Sequence, residues 1–127
     1  MKEATQKLLA KAARVLRFAE RLRTDDDGEF AVGRAYYAMF YTAEALLNER
    51  GHRFRKHGGV HGAFREHFVK TRLLDGKYHQ WLLEAFSQRI TGDYGLESDL
   101  TAEDAAVLIS QAREFLEAAT QFLKRKE

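Results

Sequence analysis

Two short runs in this chain hold the residues whose types and spacing bear on chemistry: Arg89 with Asp93 and Tyr94, and Lys56-His57-Gly58-Gly59. A guanidinium holds a phosphate through two parallel donors. A tyrosine beside it can position that phosphate or stack on a base. The same residues also read as an Arg89–Asp93 ion pair at a helix end, with Tyr94 packed inward. His57 stands just ahead of a helix, where exposed backbone N–H groups favour an anion. It equally suits an N-cap-like place that fixes the loop, or a place that folding brings beside Arg89. His57 and His61 are four apart, a zinc spacing on a continuous helix. Gly58-Gly59 argues against that helix, and no third ligand has recognisable spacing. No metal and no cofactor are expected. The chain also shows no Gly-rich phosphate loop, Ser-His-Asp set or nucleotidyltransferase signature.

The elements that must position these residues read as helices. The first runs from about Lys2 to Arg23, with Leu8, Leu9, Ala12, Val15, Leu16, Ala19 and Leu22 on one stripe. Thr24-Asp25-Asp26-Asp27-Gly28 breaks it. The second runs from about Glu29 to Arg50 and stops at Gly51. His52 to Gly59 reads as a basic loop. A short helix follows over 60–70, with Phe64, Phe68 and Val69 inward. The next spans about Asp75 to Ile90, with Tyr78, Trp81, Leu82, Ala85 and Phe86 apolar. Thr91 to Leu100 reads as a polar loop. Thr101 with Asp104 three residues on is an N-terminal capping pattern. The last helix runs to about Lys124, with Ala105, Leu108, Ile109, Ala112, Leu116, Ala119 and Phe122 inward. The expected fold is all-α: an up-and-down four-helix bundle with an extra short helix between the second and third long ones. Residues 1–127 form one domain.

Composition narrows the classes. Proline and cysteine are both absent, so nothing forces a helix break and thiolate metal chemistry is excluded. No apolar run approaches the ~20 residues that span a bilayer. The expectation is a soluble, cytoplasmic protein with no membrane partner. Formal net charge is only +2. Charge is uneven, however. Between residues 50 and 72, Arg50, Arg53, Arg55, Lys56, Arg65, Lys70 and Arg72 face Glu66 alone, with four of the five histidines alongside. One end of the molecule is therefore expected to be basic, with Arg53, Arg55, Lys56 and His57 as candidates for RNA or nucleotide contact.

The second helix carries Arg34-Ala35-Tyr36-Tyr37-Ala38-Met39-Phe40-Tyr41. Four aromatics in six positions cover more than half the helix circumference. Tyr36, Tyr37, Phe40 and Tyr41 are thus expected to divide between core and a dimer interface. Base stacking is a sharper reading of the same rings.

That run, then Lys56-His57-Gly58-Gly59-Val60, Phe68-Val69-Lys70, and Arg89 through Asp93-Tyr94, occur in an order that resembles the HEPN superfamily. The likeness is greatest to small prokaryotic members made of little beyond the domain. It implies a bundle that often dimerises and a neighbouring minimal nucleotidyltransferase in toxin–antitoxin-like pairs. Many relatives are metal-independent ribonucleases with an Arg, four to six intervening residues, and a His. Arg89 takes the arginine's place, but Tyr94 stands where the histidine would be, and no histidine follows His79. Histidine exchanges protons near neutrality, whereas tyrosine, with a pKa near 10, needs a strong local shift to do so.

Three functional readings follow. The first is a nucleotide- or RNA-binding subunit acting with a separately encoded nucleotidyltransferase, its polar site lined by Arg89, Tyr94, His57 and Lys56. The second is an endoribonuclease toxin with a variant site, where Arg89 stabilises charge and His57 or Tyr94 handles protons. The third is a structural dimerisation or docking module.

Overall fold

The chain was analysed as a computed structural model that describes residues 1–53, 56–94 and 99–126, and for 92–94 the backbone alone. Among the described residues five α-helices occur: α1 (Glu3–Thr24), α2 (Gly28–Glu49), α3 (His57–Phe64), α4 (Lys77–Tyr94) and α5 (Ala102–Arg125). A π-helical turn, Arg65–Val69, extends α3. No strand occurs among the described residues.

Side-chain contacts fix the directions. The Lys2 backbone N–H and the Thr5 hydroxyl both donate to Glu49, joining the start of α1 to the end of α2. Gly28 at the start of α2 lies against Thr101 at the start of α5. Tyr78 near the start of α4 stacks on Phe115 in the second half of α5. Long helices that follow one another are therefore antiparallel, giving the up-and-down bundle expected from the sequence.

Helix α2 is the centre of the bundle and packs against α1, α3, α4 and α5. Small side chains make that possible. Ala31, Ala35, Ala43 and Ala45 on α2 are fully buried, as are Ala12 and Ala19 on α1 and Ala105, Ala112 and Ala119 on α5. The alanines of α1 and α5 recur every seven residues, so each set lies along one side of its helix. Larger side chains, among them Met39, Leu46, Phe64, Phe68, Leu82 and Phe115, fill the remaining space with no exposed surface.

Local signals explain most helix ends. The Asp27 carboxylate accepts from the Phe30 N–H at 3.2 Å and caps α2. Asp26 turns the chain at φ 61° between α1 and α2. The Thr101 hydroxyl accepts from the Asp104 N–H at 3.1 Å, and Asp104 accepts from the Thr101 N–H at 2.9 Å, a full capping box.

Other boundaries correct the sequence reading. Helix α3 begins at His57, inside the expected loop, because Gly58 and Gly59 adopt helical backbone and do not break it. Its extension is not regular α-helix. The Lys70 N–H reaches the Arg65 carbonyl five residues back at 2.9 Å, the wider turn of a π-helix. Phe64 and Phe68 stack there, 5.7 Å between centroids. Helix α4 starts at Lys77, after the Asp75 carboxylate accepts from the Lys77 N–H, and continues past Ile90 through Tyr94. On α5, Phe115 is fully buried and Leu116 only half-buried. Phe115 contacts both Phe64 and Tyr78, and that ring cluster decides which of the two turns inward.

A Cβ on Gly28 would lie 2.3 Å from the Thr101 carbonyl carbon, against rigid backbone. On Gly33 it would meet only the Arg89 Cγ, at 3.9 Å. Gly28→Ala should therefore destabilise the fold by about 1–3 kcal/mol, as overpacking does. Gly33→Ala should be neutral or slightly stabilising, since alanine favours the helix. Thermal melting of the two variants side by side checks this.

Candidate functional site

Tyr36 lies at the middle of α2 with no exposed surface. A buried phenol needs a hydrogen-bond partner, and this one has two. Its hydroxyl is 2.8 Å from His57 Nδ1 and 2.8 Å from His61 Nε2. The continuous α3 helix makes this possible, because residues four apart share one face.

One phenol proton serves two bonds, so Tyr36 donates one and accepts the other. When His57 carries its proton on Nδ1, Tyr36 accepts from it and donates to His61. His57 then keeps a lone pair on Nε2, which forms no hydrogen bond among the described residues. When Tyr36 donates to His57 instead, His61 donates to Tyr36 and His57 carries its proton on Nε2. The three side chains thus have linked tautomers.

Rings enclose the group. His57 stacks on Phe40, 4.5 Å between centroids, and lies parallel to Tyr36 at 5.7 Å. Phe86 of α4 stands 5.0 Å from His61. Burial pushes the Tyr36 phenol well above its ordinary pKa, and the neighbouring Tyr37 adds to this. Burial lowers His57, and the Arg89 charge lowers it further. His61 is pushed down to about 4, by burial first and then by His57 and His79. Both histidines are therefore neutral at pH 7.

Arg89 of α4 enters from the solvent side. Its Cζ is 5.0 Å from the Tyr37 ring centroid and 5.8 Å from that of Tyr36. His57 is 5.8 Å from the same Tyr37 ring. The two candidate residues, distant in sequence, thus meet across one pair of tyrosines. Gly33 leaves room for the Arg89 stem. A hollow of about 380 Å³ opens there, lined by Glu29, Phe30, Gly33, Arg34, Tyr37, Tyr41 and Arg89.

The other candidates are placed differently. Lys56 is exposed and supplies the N-cap of α3 without a side-chain bond. His57 is thus the first helical residue, not an N-cap-like one. Arg53 is exposed and lines a separate hollow of about 390 Å³ with Lys7, Glu44, Asn48 and His52. Arg55 lies outside the described residues, as do the side chains of Asp93 and Tyr94. Of the aromatic quartet, Tyr36 and Phe40 are covered within the chain, while Tyr37 and Tyr41 are half-buried. The basic stretch is partly absorbed: Arg50 lies over the rings of Phe68 and Phe122, and Lys70 pairs with Glu66. Among the described residues, no group of three or more His, Cys, Asp or Glu is placed to hold a metal ion.

The sequence reading missed Tyr36 and His61 as partners of His57. The signal available was a tyrosine, rather than a phenylalanine, in the ring cluster of α2, with two histidines at helical spacing nearby.

The neutral His61 has a consequence for stability. Its folded pKa lies below the ordinary value near 6.5, so the unfolded chain binds the proton more readily. Stability should therefore fall as pH drops from about 6.5 toward 4, by an amount on the order of 3 kcal/mol at the limit. His57 and His79, both lowered mainly by burial, act in the same direction. Melting temperatures should decline between pH 6.5 and 5. The His61→Leu variant, less stable at pH 7, should show a shallower slope.

Known proteins resemble this chain along most of its length. A HEPN-domain profile matches residues 5–124. A candidate toxin of Methanocaldococcus jannaschii is 34% identical over 98% of this chain and 85% of its own length. A UPF0332 protein of Gloeobacter violaceus is 35% identical over 93% of this chain and 94% of its own. Another, from Thermotoga maritima, is 38% identical over 74% of this chain and 71% of its own. By its domain match and by these near full-length relatives, the chain belongs to the HEPN family.

Proposed function

We propose that this chain is the toxin-side member of a toxin–antitoxin-like pair and that it engages RNA at Arg89 and His57. One observation carries the reading: Arg89 and His57 converge on the rings of Tyr36 and Tyr37 beside an open hollow. In the hollow, Arg89 and Arg34 supply positive charge for a phosphate. Tyr37 offers a half-exposed ring to a base. Lys56, next to His57, adds charge at the α3 side. Arg53 and Arg55 contribute to the general attraction of a polyanion rather than to this hollow. Asp93 and Tyr94, which follow Arg89 in the sequence, are further candidates for nucleotide contact.

The names of relatives in Methanocaldococcus jannaschii, two of them candidate toxins, support the toxin side of the pair. The partner is a separately encoded minimal nucleotidyltransferase. The chain forms a homodimer through Tyr41, whose ring still has surface to bury, which leaves Tyr37 to the RNA. Among the described residues, no helix is long and apolar enough to cross a membrane.

A second reading, metal-independent RNA cleavage, is favoured by the Tyr36 bridge. His57 would take the proton of a ribose 2′-hydroxyl at Nε2, while its Nδ1–H stays bonded to Tyr36. The 2′-oxygen would bond to phosphorus and the P–O5′ bond would break. The leaving oxygen takes a proton from water. Arg89 would stabilise the charge that builds on the phosphoryl oxygens. His57 in this role supplies the proton chemistry of the absent downstream histidine.

A purified, folded protein should bind a short single-stranded RNA. Arg89→Ala should weaken binding about tenfold or more, the loss expected for charge-assisted bonds. If RNA is cut without added metal, His57→Ala should slow cutting by roughly 10²–10⁴ while changing affinity little. Unchanged binding in Arg89→Ala would contradict the assigned site.

A further inference from the structure

The arginine hollow does not end at Arg34. That residue also lines a second hollow of about 490 Å³ with Arg14, Val15, Phe18, Arg21 and Leu22 of α1. A third, of about 220 Å³, sets Arg17 beside Arg14, Phe18 and Arg21. Residues 14, 17, 18 and 21 share one face of α1 by helical spacing. Lys11 begins the same line, its Nζ 4.4 Å above the Tyr41 ring that borders the Arg89 hollow.

Two properties separate this face from an ordinary solvated one. First, two large hydrophobics are conspicuously exposed along it: Phe18 at 49% and Phe30 at 58%. Second, its arginines are unpaired. Arg14, Arg17, Arg21 and Arg34 form no ion pair among the described residues. Among the described residues, Glu29 is the one acid lining the hollows that hold Arg34, while Glu20 and Asp25 border Arg17 and Arg21 on their other side. Arg21 instead lies 5.6 Å over the Phe18 ring, orienting it and leaving the ring's other surface open.

We infer that this face of α1, continued through Arg34 to the Arg89 hollow, is a track for single-stranded RNA. Guanidiniums along the track take backbone phosphates, and Phe18 stacks on an unpaired base. A duplex would not present bases to an exposed ring on a helix. A second copy of this chain fits poorly, because a two-fold contact would set Arg14, Arg17 and Arg21 against themselves. The inference rests on the RNA reading above. It extends that reading to a surface far in sequence from the basic segment 50–72.

The test is anisotropy of a labelled, unstructured oligoribonucleotide across a salt series, with oligomeric state followed by sedimentation. The altered positions are exposed, so the variants keep the fold. Phe18→Ala should lose about five- to hundredfold in affinity, the range for one stacked base. Arg14→Ala with Arg21→Ala should lower the salt slope by roughly 0.7 for each phosphate contact removed. Wild-type-like binding by these variants, with loss in Arg89→Ala, would overturn the track and leave the Arg89 site standing. Absence of RNA binding by the unaltered protein would overturn both. A dimer that dissociates in Phe18→Glu with RNA affinity unchanged would make this face a protein contact instead.

Discussion

The hydroxyl of Tyr36 sets the terms for the rest of this structure. It sits where α2 has no exposed surface, so it must be satisfied from within. Two histidines on one face of α3 satisfy it, each at 2.8 Å. This holds α3 against α2 and turns His57 inward rather than out into a basic loop. It also fixes where Nδ1 of His57 points, and therefore leaves Nε2 as the ring nitrogen that can act. Replacing the phenol by an apolar ring of similar shape would leave two buried imidazole nitrogens without their partner.

The bundle is arranged around the same helix. Alanines on α1, α2 and α5 let three helices approach closely, and Gly28 permits backbone contact with Thr101. Aromatics occupy the remaining side of α2. Their crowding divides them by depth: Tyr36 and Phe40 inward, Tyr37 and Tyr41 toward the edge. That edge is where Arg89 arrives from α4. Close helix packing and the site are thus two consequences of one pattern, small residues on one side of α2 and rings on the other.

Much of this was legible in the sequence. Apolar periodicity placed α1, α2 and α5 within a residue or two, and Thr101 with Asp104 announced its capping box. Arg89 and His57 were legible as polar candidates, and the order of short motifs pointed to the HEPN family. What could not be read was their meeting. Whether residue 57 lies beside residue 89 depends on how α3 and α4 dock on α2, and local spacing does not encode docking. Gly58-Gly59 misled for a related reason: helix propensity disfavours glycine, but the Tyr36 bridge and the burial of Val60 and Phe64 hold α3 in a helix. The Arg14–Arg21 face went unremarked because its arginines alternate with the core residues of α1, whereas the 50–72 segment is conspicuous by composition.

The central claim is that Arg89 and His57 form one site, joined through Tyr36. The most direct measurement follows the side-chain nitrogen resonances of Arg89, His57 and His61 by NMR while a short single-stranded RNA is added. The account predicts that Arg89 and His57 shift along one saturation curve. The buried His61 should follow, through the shared phenol. RNA binding that leaves Arg89 and His57 unmoved, with shifts confined to residues such as His52 and Arg53, would contradict it.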